Sequence, residues 1–176
     1  MNFIYLRKTT YYKIELFVLK ICISTLLIEE KVRPFLSRTV DTNNDVVARA
    51  IFTSGTTIMI LPVGLTRLDG KWPDGLTLIS WQDGNSLTWD VTVVSTLADS
   101  YLHVTSHSAG GAAEIALVRK ESKYSALPSD YLFQPIAFEN LGPMNGSGLD
   151  FLSEVGCRLS ARDYFYTHLF QTRSYF

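Results

Sequence analysis

Two aspartates lie in a segment whose other residues favour β-strand. Asp74 follows Pro73 in a Pro-Asp-Gly step, and Asp90 lies within Trp-Asp-Val-Thr-Val, where its neighbours are aromatic or β-branched. A carboxylate among such neighbours is expected to be half buried, which is costly unless it meets a metal ion, a cationic side chain or several hydrogen-bond donors. Two such carboxylates on adjacent strands indicate a shared cation.

Each aspartate also has an interpretation that needs no metal ion. Asp74 could be a turn residue, because Pro-Asp-Gly is a sequence typical of turns. Asp90 could be paired with an arginine or lysine for structural reasons, although strands disfavour aspartate. The local sequence leaves these alternatives open.

Paired carboxylates are suited to metal-dependent hydrolysis of a phosphodiester. That reaction needs an activated water and neutralised phosphate charge, and Mg²⁺ or Mn²⁺ held by carboxylates supplies both. Mg²⁺ takes few protein oxygens and keeps several waters, so two aspartates and a backbone carbonyl suffice. A nearby lysine can orient the water or stabilise the transition-state charge. Lys120 or Lys123, from the helix predicted after the strand that contains Asp90, fits that role.

Composition limits the classes of protein that this chain can belong to. Its 176 residues suit one domain with extensions. Because 47% of them are hydrophobic, the chain can form a core and is not expected to be disordered overall. A net charge of −1 provides no general basic field, so any nucleic-acid surface must be a local patch. The distant Cys22 and Cys157 indicate two reduced thiols in an intracellular protein, nuclear or cytoplasmic. His103 and His107 are four residues apart, but their surroundings predict a loop and no metal site.

The first 40 residues differ in character from the rest. Their apolar run, Ile14 to Ile28, is interrupted by Glu15 and Lys20 and is shorter than the ~20 apolar residues that span a bilayer. We therefore expect an extension or helix of undetermined role and no membrane association. An export signal is the alternative, although no small-residue cleavage site follows.

The spacing of apolar residues and the positions of glycine, proline and helix-capping residues predict a small α/β domain over residues 41–160, followed by an aromatic-rich tail at 161–176. The predicted elements are a helix capped by Asn43 or Asn44 and ending at Gly55, a strand over 57–61, a hairpin over 71–94, a helix over 109–124, a strand over 131–138 and a helix over 145–159. Pro135 places the fourth strand at a sheet edge or a bulge. This order predicts a small mixed sheet with helices on both faces.

These residues and their order resemble the restriction-like endonuclease domain of non-LTR retrotransposons, which belongs to the PD-(D/E)xK nuclease superfamily. The resemblance rests on Pro73-Asp74, on Asp90 sixteen positions later with Thr92, and on Lys120-Glu-Ser-Lys123-Tyr124. The longer run from PVGLTRLDGKWPDGLTLISWQ to LTWDVTVVSTLADSYL is similar to sequence near the C-terminus of reverse-transcriptase-containing element proteins. The resemblance covers roughly residues 41–159 and implies an αβββαβ core that nicks DNA with Mg²⁺ or Mn²⁺.

The resemblance also implies roles for individual residues. Asp74 and Asp90 would be the metal ligands. Many superfamily members carry a lysine two residues after the second acid, where this chain has Thr92. The catalytic lysine would then come from the helix, with Lys120 as the first candidate and Lys123 as the second.

Three further residues complete the implied site. Asp45 could supply an acidic ligand from the first helix, although an aspartate in a first helical turn equally compensates the helix dipole. Lys71 and Arg119 are the candidates for contacts with DNA.

The sequence departs from the family pattern in three places. Trp72 stands where a basic residue commonly precedes Pro-Asp, no reverse-transcriptase portion precedes the nuclease-like part, and the pattern ends soon after Phe170. Trp72, the missing reverse-transcriptase portion and the slightly negative net charge favour a second hypothesis, in which the same fold persists without catalysis as a remnant or as an interaction domain for protein or nucleic acid.

A regular hairpin would keep the two aspartates apart. A three-residue loop at 83–85 places Asp90 opposite Leu78, so Asp74 would lie four residues along the strand, roughly 13 Å away at ~3.3 Å per residue. A shared metal ion therefore requires a bulge or a bent hairpin between Gly75 and Trp89.

Overall fold

The computed structural model describes the backbone of residues 32–60 and 72–172, and the side-chain surroundings within 40–60 and 72–163. The elements in chain order are α1 (Val32–Thr53), β1 (Ile58–Ile60), β2 (Gly75–Thr77), β3 (Ser86–Val94), α2 (Leu102–Thr105), α3 (Gly111–Lys123), β4 (Tyr131–Glu139) and α4 (Gly146–Thr172). The predicted order of helices and strands is confirmed, with α2 as a short addition. Predictions for residues 1–31, 61–71 and 173–176 lie outside the described residues.

The four strands form one mixed sheet in the order β1-β2-β3-β4. β2 pairs antiparallel with both β1 and β3, whereas β4 pairs parallel with β3 along its whole length. The parallel pair is joined through α3. β4 ends the described sheet, as Pro135 predicted, because a proline has no N–H to donate to a second neighbouring strand.

Alternation along β3 divides the protein into two layers of side chains. Its odd-numbered residues from Leu87 to Val93 join a core with α1 and α4, to which those helices contribute Val47, Ile51, Phe151, Leu152 and Val155. Its even-numbered residues face the opposite side, where Val94 packs with Ala112, Ala113 and Ala116 of α3. Because alanines are small, α3 lies close against this face, on which Asp90 also lies.

The long helices extend beyond their predicted ends. α1 begins at Val32, so Asn43 and Asn44 lie in its interior and the predicted N-cap is wrong. Asn43 is fully buried, and the Asn44 side chain accepts a hydrogen bond of 2.9 Å from the Trp89 indole. α4 continues to Thr172, past Leu159 and into the predicted tail. The predicted boundaries at residues 40 and 160 thus both fall inside helices.

The hairpin between β2 and β3 has the distortion that the sequence required. Its turn contains two residues, Asp83 and Gly84, with φ of 51° and 88°, between the bridged Gln82 and Asn85. The predicted three-residue loop is therefore wrong, and these dihedrals are those of a tight primed turn. Residues 78–81 lie outside the β2–β3 ladder and form extra length between the turn and β2. As a result, Gly75 pairs with Trp89. This register differs from that of a regular hairpin.

Glycine is required at position 75 because the Trp89 indole ring lies close to its backbone, and not because of a turn. A Cβ at this position would lie 2.0 Å from the Trp89 indole ring, which lies over the glycine from the paired strand. No larger side chain fits without displacing the indole. The glycine of the Pro-Asp-Gly step thus belongs to β2 and fixes how closely β2 and β3 pack beside Asp74.

Within residues 32–60 and 72–172, no helix combines the length and the apolar character that a membrane crossing requires.

Candidate active site

Asp74, the residue directly before β2, lies close to Asp90 of β3. Its N–H donates to the Trp89 carbonyl at 2.9 Å and its carboxylate accepts from the Val91 N–H, so Asp74 contacts the residues on both sides of Asp90. The negative charge of Asp90 is near enough to raise the pKa of the Asp74 carboxyl. The structure therefore brings together the two carboxylates that the sequence singled out.

The Asp74 side chain replaces a backbone group in the ladder. Its Oδ2 accepts a hydrogen bond of 2.7 Å from the Val91 N–H. This contact restrains the orientation of the carboxylate and does not involve Oδ1. The interpretation of Asp74 as a simple turn residue is not supported by this geometry, since its side chain reaches across to β3.

Asp90 is almost completely buried, with 3% of its surface exposed, and is surrounded by groups from α3. Lys120 Nζ donates to Oδ2 in a close ion pair, and Tyr124 Oη lies 2.6 Å from Oδ1. Lys123 Nζ lies 3.7 Å from Oδ1. A buried carboxylate needs such partners, because an unpaired charge inside the protein is very costly.

The two helix lysines reach the same carboxylate because of their spacing. Lys120, Lys123 and Tyr124 stand at i, i+3 and i+4, with Tyr124 as the C-cap of α3, and so lie on one side of the helix end. That face lies against β3, and the lysine side chains are 21% and 27% exposed. The expectation that a helix lysine would join the two acids matches the observed geometry.

The N-terminal half of α3 is fixed by two carboxylate contacts, one buried and one exposed. Glu139, at the end of β4, accepts the Ala112 N–H at 2.9 Å and is 2% exposed. Glu114 accepts the Gly146 N–H at 2.7 Å, which ties α3 to the start of α4. Carboxylates at helix N-termini satisfy amides that otherwise have no partner. The lysine face is thereby held rigidly over β3.

Burial raises the pKa of Asp74 to about 6. The negative charge of Asp90 acts in the same direction, whereas the Val91 N–H and the ammonium groups of Lys120 and Lys123 act to lower the pKa of this carboxyl. The raising effects outweigh the lowering ones. Asp74 therefore changes charge close to neutral pH, as carboxylates in active sites often do.

The other predicted site residues lie elsewhere or have other partners. Asp45 is exposed on the outer face of α1 and pairs with Arg49 at 3.5 Å. It does not join the Asp74–Asp90 pair, so its assignment as a metal ligand is corrected. The helix starts well before Asp45, which is therefore not a first-turn residue either.

Arg119 and Lys71 were the candidates for DNA contacts. Arg119 lies on α3 beside Lys120, but its guanidinium donates to the Tyr101 hydroxyl at 2.7 Å and lies 5.1 Å from the centroid of that ring. The side chain remains at the surface, next to the lysines. Lys71 lies outside the described residues.

In the parts of the chain with described side chains, no group of three or more histidine, cysteine, aspartate or glutamate side chains could hold a metal ion. His103 and His107 are exposed, and α2 begins just before the first of them. A cation at the candidate site would therefore have two carboxylate ligands, Asp74 and Asp90. That donor set fits Mg²⁺, which retains waters and uses one or two carboxylates. The raised pKa of Asp74 indicates that added positive charge there would be favourable.

The described cavities do not include this cluster. One, of about 430 Å³, lies between the end of α1 and Arg162; another, of about 400 Å³, lies between Trp81 and the first turns of α4. The cluster instead reaches the surface through Asp74 and the two partly exposed lysines.

Tyr124 is the residue whose importance the sequence interpretation missed. Its ring packs 4.7 Å from that of Phe133, and the side chain is 2% exposed, yet its hydroxyl reaches the site. The signal was present, because Tyr124 follows Lys123 directly and lies four residues after Lys120. Helical spacing alone would have placed it on the lysine face.

Comparison of the sequence with protein-family models and with curated proteins gives no match.

Proposed function

We propose that this chain contains a metal-dependent phosphodiester hydrolase site that nicks DNA. The observation that supports it best is the convergence of Asp74, Asp90 and Lys120, which come from the residue before β2, from β3 and from α3. Two acids and a lysine are the groups that such a reaction requires. The αβββαβ order of the described elements agrees with a restriction-endonuclease-like fold.

Asp74 and Asp90 would hold the divalent cation. When bound, the ion supplies neutralisation of phosphate charge and a more acidic water. Asp74 Oδ1 takes no part in the Val91 hydrogen bond, so it would be the ligand oxygen. Asp90 is oriented by the helix lysines and Tyr124, which fix its carboxylate before any ion arrives.

Lys120 would act on the phosphate or on the attacking water. An ammonium group has three N–H donors, so Lys120 can keep Asp90 as one partner while it donates to a substrate oxygen. Arg119 and Lys123 extend the positive charge of α3 on either side of it. DNA would bind along this helix through its phosphates, a mode that depends on charge rather than on base sequence.

A second candidate function is a protein- or DNA-interaction domain with the same fold and no catalysis. The observation that favours it is the complete pairing of Asp90, since Lys120 contacts one carboxylate oxygen and Tyr124 the other. A paired buried carboxylate can be retained for stability alone. Trp72, in place of a basic residue, agrees with this alternative.

Nicking of supercoiled plasmid DNA distinguishes the two candidates. The purified chain is incubated with Mg²⁺ or Mn²⁺, and the relaxed circular product is measured beside Asp90→Asn and Lys120→Met variants. The hydrolase proposal predicts nicking that requires the metal ion and falls by at least about 100-fold in each variant, because each change removes a group that the reaction needs.

Asp99→Asn is the matched control, since it removes an exposed carboxylate by the same chemical change. It is expected to nick at the wild-type rate. Nicking that is equal in the wild type and Asp90→Asn, or absent from both, would overturn the hydrolase proposal and favour the interaction domain.

A further inference from the structure

The Tyr124 hydroxyl is the meeting point of three segments of the chain. Its oxygen lies 2.6 Å from Asp90 Oδ1, 2.6 Å from the Trp72 carbonyl and 2.6 Å from Lys123 Nζ. These partners belong to β3, to the segment that enters β2, and to α3. A buried side chain that connects three separate segments restricts their relative positions.

The Tyr124 hydroxyl has a single proton to donate among these three contacts. The lysine ammonium is a donor only, so it donates to the tyrosine oxygen. The single hydroxyl proton is then available to Asp90 or to the Trp72 carbonyl, both of which are acceptors at the same distance. The two acceptors therefore share one donor and are held close to it.

Among the residues that the structure describes, few hydrogen bonds to β3 hold the segment that enters β2 near Asp74. Trp72 is 37% exposed, and the ladder with β3 includes only Gly75 and Leu76. Beyond that ladder, the hydrogen bonds that hold Asp74 to β3 are its own N–H to Trp89 and its carboxylate to Val91. The Tyr124 contact with the Trp72 carbonyl is thus an anchor two residues before Asp74.

We propose that Tyr124 is a positioning residue that fixes Asp74 against Asp90. It would do so by holding the Trp72 carbonyl and the Asp90 carboxylate on one hydroxyl, with Lys123 orienting that hydroxyl. This assignment rests on the proposed function, because the two aspartates are its metal ligands. The geometric part is testable without catalysis, since the Val91 N–H reports whether the Asp74 carboxylate remains in place.

Amide hydrogen exchange of Tyr124→Phe, followed by NMR, tests this role. The phenylalanine keeps the ring that packs on Phe133 and loses only the hydroxyl. Exchange of the Val91 amide is expected to accelerate by about tenfold or more, the size of effect that a hydrogen bond to a charged group produces. The amides of Leu87 and Ala112, bonded to Thr77 and Glu139 away from the hydroxyl, are expected to keep their wild-type rates.

Tyr101→Phe is the matched control, because Tyr101 is also a buried tyrosine with a hydrogen bond to α3. It should leave Val91 exchange unchanged. An unchanged Val91 rate in Tyr124→Phe, or an equal acceleration of all three amides, would overturn the positioning role. If the phenylalanine variant fails to fold, Tyr124→Met supplies the same readout, because a flexible methionine fills the same space without a hydroxyl.

Kinetics separate this inference from the function on which it rests. If the wild type nicks DNA, Tyr124→Phe is expected to lower kcat by about tenfold with an unchanged KM for DNA. An unchanged kcat would overturn the assignment while leaving the hydrolase intact. A wild type that does not nick would remove the proposed function, and the exchange rates would still decide whether Tyr124 holds the two aspartates together.

Discussion

Replacing Asp74 with asparagine should stabilise the protein at neutral pH. Asparagine has nearly the same shape, and its amide oxygen can still accept the Val91 N–H that the carboxylate accepts at 2.7 Å. What the substitution removes is the negative charge. That charge is unfavourable here, because burial and the nearby Asp90 raise the pKa of Asp74 to about 6.

The size of the effect follows from the pKa difference between the folded and unfolded states. The ordinary value is 3.8 and the folded value is about 6. Since each pKa unit corresponds to about 1.4 kcal/mol, folding disfavours the ionised form by about 3 kcal/mol. The folded pKa is the higher one, so the stability is complete below about pH 4 and is lost as the pH rises through 6. Asp74→Asn should therefore gain about 3 kcal/mol at pH 7.5 and about 0.5 kcal/mol at pH 4.

Urea denaturation of the wild type and Asp74→Asn between pH 4 and pH 8 measures this difference. The gap between the two free energies of unfolding should widen with rising pH and level off above pH 7. Asp99→Asn, an exposed site, should stay within about 0.5 kcal/mol of the wild type throughout. An Asp74→Asn variant that is less stable at pH 7.5, or a gap that does not change with pH, would refute the reasoning.

Three further predictions follow from the same site. Lys120→Met should lower the free energy of unfolding by about 3 kcal/mol in urea denaturation at pH 7.5, because it leaves the buried Asp90 charge without its closest cation. Gly75→Ala should cost about 2 kcal/mol or more in the same assay, since its Cβ would lie 2.0 Å from the Trp89 ring. Mg²⁺ at about 100 times its dissociation constant should stabilise the wild type by about 2.7 kcal/mol, measured by thermal denaturation, and should not stabilise Asp74→Asn.

Each of these predictions has a control within the chain. Arg49→Met breaks an exposed ion pair and should change stability by less than about 0.5 kcal/mol, so an equal loss in Lys120→Met would contradict the buried pairing. Gly146→Ala adds a Cβ that meets only an ordinary contact at 3.6 Å, and a similar cost at Gly75 would show that the indole does not restrict it. Equal Mg²⁺ stabilisation of the wild type and Asp74→Asn would mean that the ion binds elsewhere.

The sequence predicted the features that depend on local pattern. The aromatic and β-branched residues around Asp90 indicated a strand, and Asp90 lies within β3. Pro135 predicted an edge strand, and β4 ends the described sheet. The spacing of Lys120 and Lys123 indicated a helix that could carry both lysines to one place, and they meet at Asp90.

Some features that depend on tertiary contacts were not predicted from the sequence. The register of β2 on β3 depends on how residues 78–81 leave the ladder, and no local propensity specifies that path. Asn44 was expected to cap a helix, but its side chain bonds the Trp89 indole, a partner 45 residues away. For Asp45, the phase of Val47 and Ile51 would already have placed its side chain on the outer face of α1.

The most direct test of the central claim is plasmid nicking by Asp74→Asn with Mg²⁺ at pH 7.5. This variant is expected to be more stable than the wild type, so a loss of activity cannot be attributed to unfolding. We predict metal-dependent nicking by the wild type and a rate at least about 100-fold lower in the variant, because one of the two metal ligands is removed. Nicking by Asp74→Asn at the wild-type rate would contradict the assignment of the Asp74–Asp90 pair as the catalytic centre.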